Sequence, residues 1–62
     1  MNLGIVMKKY RLMMELDLRT LGKEIGIGAS TLMRLEMGHD PDYRTFKKVL
    51  DWLSLPQKER GV

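Results

Sequence analysis

The sequence contains no cysteine in its 62 residues. No disulfide and no thiolate metal site can stabilise it, and such a composition suits a reducing cytoplasm. No run of about 18 apolar residues occurs, the length a membrane-spanning helix needs. The opening stretch MNLGIVMKKY lacks the basic, then apolar, then small order of a secretory leader. There is one histidine, His39, and no cluster with metal-ligand spacing. Gly26-Ile27-Gly28 looks like part of a phosphate-cradling loop but has no strand before it. Together these gaps leave an enzyme without parts. The expectation is a non-enzyme with no cofactor, no metal, no membrane association and no small-molecule ligand. Repeats and low-complexity tracts are missing too.

What is present is short and mildly basic. A chain of this length makes one domain at most and buries only about 60% of the surface its unfolded form exposes. Helix packing alone, or packing together with self-association, has to supply the stability. Eleven basic and eight acidic residues give a net charge of +3. That balance alone favours nucleic acid only weakly. The six methionines read as soft core filler before they read as an adaptable binding surface.

The stretch from Leu18 to Gly38 organises the rest. Its spacing predicts a helix over 18–25, with Leu21, Gly22 and Ile25 inward, and a second over 29–37, with Leu32 and Leu35 inward. Gly26 can end the first helix at positive φ with little steric cost. Ile27 can plug the angle between the two helices, and Gly22 lets them cross closely. This is the physical logic of a helix-turn-helix, whose second helix is offered to the DNA major groove.

Leu21-Gly22, Ile25-Gly26-Ile27, Ser30-Thr31-Leu32, Arg34-Leu35-Glu36 and Gly38 resemble the Cro/repressor-type (Xre-type) helix-turn-helix regulators. The likeness runs from about Asn2 to Leu53. It implies an all-α, compact, four- to five-helix lambda-repressor-like DNA-binding domain, with residues 1–62 as one domain. It also implies that Arg11 pairs with Glu36, tying helix 1 to helix 3. Two positions depart from the family. Leu18 stands where a glutamine usually grips a phosphate, and Gly28 stands where a serine usually caps the recognition helix. Glycine is tolerated at such a cap.

The flanks fit around that centre. Asn2 can cap a helix running from Leu3 to about Met14, with Leu3, Val6, Met7, Tyr10 and Met14 on its stripe. Gly4 weakens the first turn. The family often has glycine at the position of Glu15. Either the backbone there is left-handed and Glu15 is strained, or helix 1 ends differently. Asp17 should cap helix 2, with Leu16 and Leu21 spaced as a hydrophobic staple. Asp40 as cap and Pro41 at the first helical position open a helix over 42–53. Its inward stripe would be Phe46, Val49, Leu50 and Leu53. Trp52 lies beside that stripe, where it either roofs the core or sits in a dimer contact; the roof is the stronger reading. Pro56 to Arg60 could add one more turn.

The recognition helix exposes what it does not bury: Ala29, Ser30, Thr31, Met33, Arg34 and Met37. The resemblance maps base contacts to Gly28, Ala29, Ser30 and Arg34. Arg34 can donate two hydrogen bonds to a guanine. Ser30 can donate or accept, and Ala29 offers a methyl to thymine. Phosphate contacts fall to Arg19, Lys23, Thr31, Arg44 and Lys47. Asp40 and Asp42 oppose phosphate unless they are occupied as caps. Lys8, Lys9, Lys48, Lys58 and Arg60 read as solvated. The expected function is a sequence-specific double-stranded DNA-binding transcriptional regulator, a small repressor of phage, plasmid or bacterial origin. One module covers about 600–1,000 Å² of DNA, which suggests two copies on a palindrome through a weak homodimer contact at Trp52, Leu53 and Leu55. The competing reading is a protein-interaction module, such as an antitoxin or accessory factor. Met33 and Met37, Leu18 and the loop aspartates lean that way.

Overall fold

Residues 3–55 are described by a computed structural model. Among them lie four helices and no strand: α1 (Leu3–Met13), α2 (Leu18–Ile25), α3 (Ala29–Glu36) and α4 (Tyr43–Leu53). The expected cap at Asn2 and the turn over 56–60 lie outside the described residues. No helix among them is long and apolar enough to cross a membrane.

Each helix boundary has a local cause. α1 closes with the Leu16 N–H donating to the Arg11 carbonyl at 2.9 Å. That closure requires a left-handed residue just past the helix, and Glu15 takes it at φ 56°. Of the two endings the sequence leaves open, the strained one is formed. Asp17 starts α2, its Oδ1 accepting from the Thr20 N–H at 2.7 Å. Gly26 ends α2 at φ 97°, its N–H donating to the Gly22 carbonyl. Gly22 matters for a different reason. A Cβ placed on it would stand 2.7 Å from the Ile27 carbonyl oxygen, so only glycine lets the α2–α3 turn fold back this closely. α3 begins at Gly28 without a side-chain cap and stops at Glu36, with Met37 as its last half-turn.

The start of α4 differs from the sequence expectation. Asp42, not Asp40, is the cap, and its Oδ1 accepts from the Thr45 N–H at 2.8 Å. Pro41 therefore precedes the helix instead of opening it. The extended backbone at Asp42 (ψ 172°) breaks the turn that a cap at Asp40 would need. It also puts the Asp42 carboxylate three residues before a donor that points at it.

The inward stripe of α4 differs as well. Val49 and Trp52 are buried, whereas Phe46 and Leu50 are 41% and 45% exposed. The indole is the reason. Its Nε1–H donates to Glu24 Oε2 at 2.8 Å, and its ring meets Tyr10 edge to face at 5.0 Å. Seating that large amphipathic ring against α1 and α2 turns the helix so that Val49, one turn back, follows it inward. Phe46 and Leu50 are then carried outward. Leu53 still packs against the core.

The core joins all four helices through Met7, Leu21, Ile25, Leu32, Leu35, Val49 and Trp52. α3 packs on both α1 and α2, and α4 packs on α2. Leu16, Leu18 and Ile27 close the edges of this core.

The two aspartate caps give the fold an acid dependence. The Thr20 N–H holds the Asp17 carboxyl below its ordinary pKa, and the Thr45 N–H does the same for Asp42. A carboxylate whose folded pKa is depressed adds stability above its unfolded pKa, about 3.9. It loses that stability as pH falls through the folded value. Thermal melts should therefore be level from pH 7 to about 5 and decline below about 4. Replacing both caps by asparagine, which caps without titrating, should flatten part of the decline. An unchanged acid profile in that variant would remove the caps as its source.

Candidate nucleic-acid interface

α3 divides cleanly around its circumference. Leu32 and Leu35 enter the core, while Ser30, Met33, Arg34 and Met37 are exposed and Ala29 and Thr31 are half-buried. At 100° per residue the exposed four share one outward arc. None of them is needed to hold the core together. Of the sequence-predicted base contacts, Gly28, Ser30 and Arg34 lie open to solvent, and Ala29 is partly covered.

Two devices fix how α3 is presented. The first is the close turn at Gly22. The second is the Arg11–Glu36 pair: Nε to Oε2 at 2.9 Å and Nη2 to Oε1 at 3.0 Å, a two-pronged contact. Arg11 Nη1 also donates to the Leu16 carbonyl at 3.1 Å. One guanidinium thus ties the end of α3 to the end of α1 and to the α1–α2 connection. Hydrogen bonding to Glu36 raises the already high Arg11 pKa, so the guanidinium keeps its charge.

Beside the outward arc lies an open concavity of about 340 Å³, lined by Thr31, Arg34, His39, Asp42 and Thr45 among others. It brings Arg34 and Thr31 together with the start of α4. Asp42 is engaged there as a cap, so of the two aspartates that oppose phosphate only Asp40 stands in the loop without that role. Arg19 and Lys23 are exposed four residues apart on α2, and Arg44 and Lys47 are exposed three apart on α4. Each pair shares a helix face. Leu18 is half-buried against the core and offers no polar side chain at the start of α2.

Two contacts escape the sequence reading. Lys48 is exposed as expected, but it also has a partner: its Nζ donates to the Gly26 carbonyl at 3.1 Å, at the end of α2. A cation at a helix C-terminus is a known preference, but the partner is 22 residues away and no local pattern points to it. The Glu24–Trp52 bond spans 28 residues and is equally silent in the sequence. Trp52 itself is only 3% exposed. It therefore cannot supply the dimer contact assigned to it together with Leu53 and Leu55; Leu53 is half-buried, and Leu55 is exposed. The apolar surface that α4 does expose is Tyr43, Phe46 and Leu50.

Among the described residues no group of three His, Cys, Asp or Glu could hold a metal ion. No protein-family model, curated protein or solved structure matches the chain.

Proposed function

We propose that the chain is a sequence-specific double-stranded DNA-binding transcriptional regulator, a small helix-turn-helix repressor of the Cro/repressor type. α2 and α3 are the two helices of the motif, and α3 enters the major groove. The observation that carries this reading is the outward arc of α3. An eight-residue helix is pinned at both ends, by the Gly22 turn and by the Arg11–Glu36 pair, and it leaves Ser30 and Arg34 exposed. A rigid helix presenting a guanidinium suits base-edge readout.

The roles follow from placement. Arg34 reads a guanine through O6 and N7, and Ser30 reads the neighbouring base edge. Arg19 and Lys23 on α2, with Arg44 and Lys47 on α4 and the Thr31 hydroxyl, contact phosphates and set register. Repression comes from occupying a promoter and needs no cofactor. Two copies on a palindrome, with half-sites about 34 Å apart, give the footprint that one small module lacks. Exposed Tyr43, Phe46 and Leu50 offer one apolar surface for pairing, on α4.

Selection from a pool of random duplexes tests the reading. A recurrent palindrome is expected. Arg34→Ala should then lose discrimination at one base position per half-site, about 1–3 kcal/mol, with the other positions kept. An Arg34→Ala protein that selects the same sequence with the same stringency would remove Arg34 from base readout. The second reading, a protein-interaction module on the same fold, is favoured by Met33 and Met37 in the arc and by Leu18 turned into the core. It expects no enriched duplex at any salt concentration.

A further inference from the structure

The outward arc of α3 carries two parallel rows, each at four-residue spacing. Ser30 and Arg34 form a row of hydrogen-bonding groups. Ala29, Met33 and Met37 form a row with no hydrogen-bond donor and only weak thioether acceptors. Met33 is 45% and Met37 69% exposed, so neither is spent on the core. Arg34, in the polar row, borders the concavity with Thr31 and His39. The apolar row runs along the other side of the arc.

We infer that the apolar row is a reader of thymine methyl groups, with Met33 as its principal specificity-determining residue. This rests on the DNA-binding reading above and names the chemistry of its target. In the major groove, the C5-methyl of thymine is the only methyl group among the base edges. A helix lying in that groove with Ala29 and Met33 in its first two turns places methyl and thioether groups where donors and acceptors would otherwise have to be matched. Groove bases that cannot offer a methyl leave a donor or acceptor facing those side chains, desolvated and unpaired. The operator half-site should therefore combine a guanine, read by Arg34, with thymines on the side of the helix that bears Met33. The flexible methionine side chain fits a methyl without demanding one geometry.

The test replaces thymine by uracil in the enriched duplex, one position at a time. Uracil keeps every hydrogen-bonding group and removes only the methyl. Affinity should fall about four-fold at each thymine that the row contacts, the value of one buried methyl-sized group, and stay unchanged at the others. In Met33→Ala the uracil penalty should shrink at one thymine per half-site, while the penalty for replacing the guanine stays. Met33→Gln, which keeps the length and adds donors, should reverse the preference at that position. Helical signal and melting temperature close to wild type in both variants would show that the fold is kept. Uracil-substituted duplexes binding as tightly as the thymine parent would overturn the inference and leave the DNA reading standing. A pool from which no duplex is enriched would sink both.

Discussion

Glu36→Ala should cost the protein up to about 3–5 kcal/mol, the penalty for leaving one partner of a buried ion pair alone, reduced here because the pair is part-buried. The glutamate side chain is only 6% exposed, and removing it strands a guanidinium that makes two of its three hydrogen bonds to that carboxylate. A domain of this length has about 3–9 kcal/mol of stability in all. The melting temperature should therefore drop by about 4–8 °C for each kcal/mol lost. Arg11→Met should act the same way from the other side. The double variant Arg11→Met with Glu36→Leu should recover most of the loss, because apolar side chains of similar volume can replace such a pair at little cost. A single variant that melts with the wild type would show the pair to be ornamental. The consequence for function is direct, since the pair is what anchors the end of α3.

Trp52→Ala is the second large effect, about 3–5 kcal/mol. The indole is buried against Tyr10 and spans α4 to α2 through Glu24. Truncation would open a cavity where three helices meet and would leave Val49 without its neighbour. Trp52→Phe should keep most of the packing and lose chiefly the hydrogen bond, about 0.5–1.5 kcal/mol. Thermal or urea melts separate the two variants. A dimer-contact tryptophan would behave differently: sedimentation would change with concentration while the monomer's melt stayed put. A Trp52→Ala protein with the wild-type melt would contradict the burial described here.

Much of the fold was legible because its signals are local. The cap at Asp17, the breaker at Gly26, and the inward sets Leu21-Gly22-Ile25 and Leu32-Leu35 each depend on neighbours within one or two turns. The structure shows all of them at their expected places. The Arg11–Glu36 pair is not local, and it was accessible only through resemblance. α4 was misjudged where the deciding interaction is remote. Val49 and Leu53 do face inward, and Phe46 and Leu50 extend their stripe as regularly as Trp52 does. Nothing within α4 reveals that Trp52 has a partner in Glu24 and a ring to meet in Tyr10. The cap at Asp42 was a choice between two aspartates flanking a proline. The pattern favoured Pro41 at the first helical position, and the extended backbone at Asp42 decided otherwise. The candidate site is a mixed case. Exposure of Ser30 and Arg34 followed from the helical period. The separation of the arc into a polar and an apolar row needs only that same period, yet it becomes meaningful once Met33 and Met37 are seen to be free of the core.

Binding to duplex DNA through α3 is the central claim, and its salt dependence is the most direct measurement. The selected duplex and a scrambled duplex would be titrated across 50–200 mM salt, about the range in which phosphate contacts dominate. With Arg19, Lys23, Arg44 and Lys47 on phosphates, log affinity should fall against log salt with a slope of about −3 to −4 per bound copy. The selected duplex should stay tighter than the scrambled one throughout. Arg19→Ala should reduce the slope by about one while keeping the sequence preference. Binding that ignores salt, or that does not separate the two duplexes at any salt, would contradict the claim and turn attention to a protein partner for the same face.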